Sequence, residues 1–279
     1  MALRPPDLPD LSPLDELLGD FLLEDEIART PRAVVFHARI GPEGRPVALK
    51  VARTPSDAEE LACFTHEVRL LSEVRHPHVV EVYDWGVLPG GFPYLALERL
   101  ATGSEESRDD LGRRLRHEID EHGWDVFYEV ALQVTAGLSH IHRQGLVHLD
   151  LKPGNLGWID PAGPQAGEDG RLHLKILDFG LSRSLSDPLA ARRTIRGTLA
   201  YMAPEVLRQE GWDLRADLYS LGMTLLELAT GELPSVGRAK GGEVEEQVLA
   251  AVRFHLHGEE IEPLRLRPHP HEFFLYYDN

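Results

Sequence analysis

The sequence predicts an α+β fold, with strands and one helix before residue 100 and a mostly helical region after it. Two observations carry this. Segments with alternating or β-branched character cluster before residue 100, and longer segments with an apolar residue every three or four positions dominate after it. Strands gathered first and helices after them fit an α+β architecture better than an alternating parallel sheet. The length of 279 residues, 42% of them hydrophobic, allows one large domain or two modest lobes around a real core.

Taken in order, residues 1–18 carry Pro5, Pro6, Pro9 and Pro13 and read as a disordered N-terminal extension, with the folded domain spanning 19–279. Phe21 to Ile27 and Val34 to Ile40 read as strands. Val47 to Val51 is a strand by alternation, with Val47, Leu49 and Val51 on one face and Ala48 and Lys50 on the other. Glu59 to Val74 reads as a helix, because Leu61, Phe64, Val68 and Leu71 recur at helical spacing. Tyr94 to Leu100 is a further strand. Ala101 to Gly123 is polar and reads as a loop with a short helix. Trp124 to Gln144 is a helix with Phe127, Val130, Val134, Leu138 and Ile141 on one stripe. Pro161, Gly163, Pro164, Gly167 and Gly170 mark a turn before the strand Leu172 to Leu177. Asp217 to Thr230 reads as a buried helix with Leu218, Leu221, Leu225 and Leu228 inward, capped by Asp217 and ended by Gly231 and Pro234. Glu243 to Phe254 is a last helix. The five large apolar residues Phe273, Phe274, Leu275, Tyr276 and Tyr277 then lack packing partners, as expected of a truncated chain or of one continuing into further domains of a longer parent protein.

Composition narrows the function. A net charge of −17 argues against nucleic acid or an anionic membrane as the main partner. Cys63 is the only cysteine, so no intrachain disulfide forms and a reducing cytoplasm is expected. No secretory signal and no apolar run of transmembrane length is read in the chain. Only four of the 29 basic residues are lysines, which makes each lysine informative.

The stretch His148-Leu149-Asp150-Leu151-Lys152-Pro153-Gly154-Asn155 concentrates groups that move or hold charge. A carboxylate can accept a hydroxyl proton, an ammonium two residues on can stabilise phosphate, and an amide five residues on can hold a cation. By itself this could be a polar surface loop. Asp178-Phe179-Gly180 and Ala203-Pro204-Glu205 follow downstream, and the three motifs in this order resemble the signature set of protein kinases. Lys152 after Asp150, together with Gly197-Thr198, matches the bacterial, eukaryotic-like serine/threonine type.

The resemblance implies a two-lobed kinase fold, with a small lobe over 19–100, a large lobe over 101–279 and ATP between them. It makes Asp150 the base, Lys152 the group that stabilises the transferring phosphoryl, and Asn155 and Asp178 the magnesium ligands. Lys50, supported by Glu67, would hold the α- and β-phosphates. Ala48 would line the adenine pocket, Leu97 would stand at its back, and the Glu98 to Leu100 backbone would hydrogen-bond adenine. Thr198 would contact Asp150 and Lys152, and Asp217 would brace the catalytic loop. Thr194, among Arg192, Arg193 and Arg196, is the candidate phosphosite. The expected partner is a protein with Ser or Thr acceptors.

Three departures stand against this. The glycine positions of the phosphate loop are Ala28, Thr30 and Ala33, with Pro31 at the tip, so a plain hairpin without a nucleotide role stays open. Position 149, usually an arginine that reaches a phosphorylated activation segment, is Leu149. The arginine that pairs with the glutamate at 205 has no assignable counterpart. A pseudokinase scaffold is therefore the main alternative, and a small-molecule kinase of the same fold a weaker one. His269 and His271 could be metal ligands, although a surface His-Pro-His is the simpler reading.

Overall fold

The computed structural model describes residues 17–18, 20–29, 33–56, 61, 64–65, 68, 71–72, 74–88, 90–100, 110–159, 173–178, 183–184, 198–231, 233 and 254–256. The first part is one six-stranded antiparallel sheet. It is built from β1 (Leu17–Leu18), β2 (Phe21–Arg29), β3 (Ala33–Ile40), β4 (Arg45–Ala52), β5 (Val82–Leu88) and β6 (Phe92–Glu98), in the order β1-β2-β3-β4-β6-β5. Leu17 and Leu18, inside the stretch expected to be unordered, pair with Leu22 and Phe21.

The alternation read in β4 is observed. Val47, Leu49 and Val51 are buried in the small-lobe core with Phe21, Val34, Phe36 and Ala96. Ala48 and Lys50 take the other face, registered against Leu97 and Leu95 of β6. Helical residues Leu61, Phe64, Val68 and Leu71 confirm the small-lobe helix, and Val68 and Leu71 are buried.

The large lobe is mostly helical. It comprises α1 (Asp110–His122), α2 (Asp125–Arg143), α3 (Pro204–Leu207) and α4 (Leu214–Thr230). Short strands β7 (Leu146–Val147), β8 (Leu156–Ile159), β9 (His173–Ile176) and β10 (Arg183–Ser184) pair as β8-β9 and β10-β7. Helix α1 is a correction: thirteen residues stand where a loop with a short helix was expected. Its sequence is mostly charged, and the buried contacts known for it are Leu115 and Ile119. The stripe read on α2 is correct, with Val130, Val134, Leu138 and Ile141 buried against Leu174 and Ile176.

Helix α4 corrects the sequence reading twice. It begins at Leu214, and its cap is Asp213, whose carboxylate accepts from the Arg215 backbone N–H at 2.8 Å. Leu218 is 54% exposed, whereas Asp217, Ser220, Leu221, Thr224 and Leu228 are buried. The stripe carrying Asp217, Ser220 and Thr224 is polar because it lies under the catalytic loop and the turn Leu199–Tyr201: Thr224 Oγ1 donates to Leu151 O at 3.3 Å and Ser220 Oγ to Tyr201 O at 2.8 Å. Gly231 ends the helix as expected, in the left-handed conformation (φ 79°) that glycine adopts without a steric cost.

Gly137 on α2 permits the closest approach in the large lobe. A Cβ there would lie 2.6 Å from His78 O and 3.1 Å from Ile176 Cδ1. The carbonyl cannot yield easily, because the His78 segment is stitched to β9 by Ile176 N to His78 O and Val80 N to Ile176 O, both 3.0 Å. Gly137→Ala is therefore expected to lose about 1–3 kcal/mol of stability despite the better helix propensity of alanine. Denaturant unfolding measures it, and an unchanged or raised midpoint would contradict the packing.

Candidate active site

The loop between β7 and β8 carries the chemistry. His148 is fully buried, its Nδ1 accepting from Asp150 N–H at 3.3 Å and its Nε2 donating to Leu177 O at 2.8 Å. These partners assign the neutral ring with its proton on Nε2. Leu149 has φ 64°, a left-handed conformation that costs a branched residue about 1–2 kcal/mol. Asp217 holds it there. The carboxylate, 0% exposed, accepts from His148 N–H at 2.7 Å, Leu149 N–H at 2.8 Å and His142 Nε2 at 2.8 Å. The left-handed turn at Leu149 leads directly into Asp150.

Four donors converge on Asp150. Oδ1 accepts from the Thr198 backbone N–H and from Thr198 Oγ1, both at 3.0 Å. Oδ2 accepts from Lys152 Nζ at 2.8 Å and Asn155 Nδ2 at 2.9 Å. Lys152 Nζ also reaches Thr198 Oγ1 at 2.6 Å. A carboxylate and an ammonium are thus held in one frame by a threonine from a distant segment.

Asn155 is 5% exposed and turns its amide nitrogen to Asp150, meeting Asp150 O at 2.6 Å as well. Among the described residues its Oδ1 has no hydrogen-bond partner. Its backbone carbonyl accepts from Leu177 N–H at 2.8 Å, which brings Asp178 alongside. Asp178 also has positive φ, 52°, and forms an ion pair with Lys50 of β4. A buried amide oxygen beside a carboxylate is the donor set of a hard cation. Among the described residues no cluster of three or more His, Cys, Asp or Glu could hold a metal by protein ligands alone.

The chain from Glu24 to Leu266 matches the family model described as "Protein kinase domain". This chain belongs to the protein kinase family. Relatives of the kinase domain include the serine/threonine-protein kinase PknJ of Mycobacterium tuberculosis, 35% identical over 86% of this chain and 38% of its own length. The DNA damage-responsive serine/threonine-protein kinase RqkA of Deinococcus radiodurans is 34% identical over 81% of this chain and 32% of its own. The serine/threonine-protein kinase PknL of Mycobacterium bovis is 33% identical over 81% of this chain and 53% of its own. The kinase domain thus spans about half of PknL and about a third of the other two.

Of the site residues read from sequence, Asp150, Lys152, Asn155 and Thr198 come together, and Lys50 pairs with Asp178, whose neighbour Leu177 bonds to Asn155. Ala48 lies opposite Leu97 in the β4–β6 ladder, and Glu98 ends β6 with Leu100 two residues on. Glu67, Thr194, Thr30 to Arg32, Phe179-Gly180, and His269 and His271 lie outside the described residues. The expected Lys50–Glu67 pair lies there too, and the partner observed for Lys50 is Asp178. Among the described residues Glu205 forms no ion pair.

Sequence reasoning missed His255. It is 4% exposed, with Nδ1 2.6 Å from Tyr219 OH and Nε2 3.1 Å from Ala200 O. A neutral ring satisfies both, accepting from the tyrosine and donating to the carbonyl of the turn Leu199–Tyr201 that follows Thr198. Burial pushes this imidazole below its ordinary 6.5, opposed in part by the carbonyls of Ala200 and Leu199. Burial also lowers His37, His76 and His78. The fold favours the neutral rings, so their stabilising contribution is full above about pH 6.5 and is lost as pH falls below it. The melting temperature is expected to drop between about pH 7.5 and about pH 5.5, and to drop less in His255→Gln. Parallel pH profiles for the two proteins would contradict this account of His255.

Proposed function

We propose that this kinase domain transfers the γ-phosphoryl group of ATP to serine or threonine hydroxyls of proteins. The observation that carries the reading is the single network of Asp150, Lys152, Thr198 and Asn155. Asp150 accepts the hydroxyl proton as the oxygen attacks the γ-phosphorus and the bond to the β-phosphate oxygen breaks, releasing ADP. Lys152 neutralises charge on the transferring group. Lys50, supported by Glu67, would hold the α- and β-phosphates, Ala48 would line the adenine pocket, and the backbone from Glu98 to Leu100 would hydrogen-bond adenine. Asn155 and Asp178 are the residues that would hold Mg²⁺, which supplies neutralisation of phosphate charge.

The same reading takes the residues before β1 as an extension and the chain from Leu17, the first strand of the sheet, as the domain, with a small lobe up to residue 100 and a large lobe over 101–279. Thr194 is the proposed phosphosite. Because Leu149 cannot bind phosphate, that modification does not act through the catalytic loop. A cytoplasmic location and further domains in the parent protein complete the proposal. Among the described residues no helix is long and apolar enough to cross a membrane.

The test is transfer of labelled γ-phosphate from Mg-ATP to the protein itself and to a generic basic protein, with the labelled residues identified. Label on serine or threonine is expected. No transfer from folded protein that still binds nucleotide would replace the enzyme with a scaffold.

A further inference from the structure

Three consecutive residues join the lobes, and each is fastened to a different element. Glu98, the last residue of β6, accepts at Oε2 from Lys175 Nζ of β9 at 2.8 Å and from the Glu81 backbone N–H at 3.3 Å. The Glu98 and Lys175 side chains are only 11% and 12% exposed. Arg99 donates to Glu24 Oε2 of β2 at 2.7 Å, and Arg39 of β3 holds the other oxygen of Glu24 at 2.6 Å. Leu100 is buried against Gly157 of β8, where an added Cβ would lie 2.8 Å from Leu100 Cδ1 and 3.0 Å from Leu177 Cδ1. Gly157 and Lys175 face one another in the β8–β9 ladder, so among the described residues the contacts given above for Glu98 and Leu100 with the large lobe converge on one strand pair.

We infer that Lys175 is a positioning residue for the nucleotide, holding Glu98 and with it the backbone that receives adenine. This rests on the reading above, in which adenine bonds to residues 98–100. A mostly buried ion pair is strong in its low-dielectric surroundings, and removal of one partner leaves the other charge unpaired. Without Lys175 the Glu98 carboxylate has to move toward water. The hinge backbone then samples positions that binding must reorder, and that ordering lowers affinity. Composition agrees: three of the four lysines in an arginine-rich chain, Lys50, Lys152 and Lys175, each form an ion pair with a carboxylate, to Asp178, Asp150 and Glu98 respectively.

The experiment measures binding of a non-hydrolysable ATP analogue with Mg²⁺ by calorimetry, and steady-state kinetics in ATP, for Lys175→Met, Glu98→Gln and the double variant. Lys175→Met is expected to raise the Kd and the KM for ATP about tenfold while kcat stays within about twofold. The double variant is expected to bind no more weakly than the weaker single variant, as for two groups acting as a unit. If Lys175→Met does not fold, Lys175→Gln replaces it, with a smaller rise in Kd expected. An unchanged Kd in a folded Lys175 variant, or losses that simply add, would overturn the inference. Wild-type protein that binds no analogue would overturn both this inference and the ATP reading. Wild-type protein that binds it with tightness dependent on Lys175, yet transfers no phosphate, would sink only the phosphotransfer reading.

Discussion

Asp150→Asn is expected to lower turnover by about 10²–10⁴ while the protein stays folded, the range a positioned general base contributes. The geometry gives two reasons. An amide cannot take up the hydroxyl proton. It also presents one acceptor oxygen where Asp150 presents two, and four donors converge on that side chain: Thr198 N, Thr198 Oγ1, Lys152 Nζ and Asn155 Nδ2. Whichever way the asparagine turns, its NH₂ faces donors, and either Thr198 or the Lys152–Asn155 pair loses its partner. Single-turnover phosphotransfer, with thermal melting as the control, makes the measurement. A rate within about tenfold of wild type would mean that the proton leaves by another route and that Asp150 is not the base.

Asp217→Ala is expected to cost about 3–5 kcal/mol of stability, the scale for stripping the charged partner from a buried network. The carboxylate is 0% exposed and accepts from two backbone amides and from His142. The alanine leaves those donors unpaired inside the protein. It also frees the left-handed turn at Leu149, whose strain the carboxylate opposes, so Asp150 loses its placement and activity falls with stability. Asp217→Asn keeps the volume and one acceptor and is expected to lose less. Guanidinium unfolding of both variants decides it. A loss below about 1 kcal/mol in Asp217→Ala would show that water replaces the carboxylate.

Asp217 also shows where local rules stop. Read along the chain, an aspartate before a helical apolar run is a cap, yet Asp213 caps the helix. The partners of Asp217 are 68, 69 and 75 residues away, and no window of sequence contains them. Leu218 failed for a related reason. Helical spacing identifies a stripe, but the neighbours decide which stripe is covered, and here the catalytic loop covers the one bearing Asp217, Ser220 and Thr224. Helix α1 was read as a loop with a short helix because its apolar signal is thin. Lys175 was passed over although lysine is scarce, a signal that could have found it.

The sequence by itself determined β2, β3, β4, β6 and β9, the small-lobe helix and α2, because the periods of two and 3.6 are local properties of a backbone with one face buried. It also determined the chemical inventory of the cleft, because Asp150, Lys152 and Asn155 share eight residues with His148. Tertiary structure alone decided which groups meet: Thr198 with Asp150, Lys50 with Asp178, Lys175 with Glu98, and His255 with the turn after Thr198. Hydrogen bonds and ion pairs act over about 3 Å, and folding, rather than sequence separation, sets that distance between remote residues.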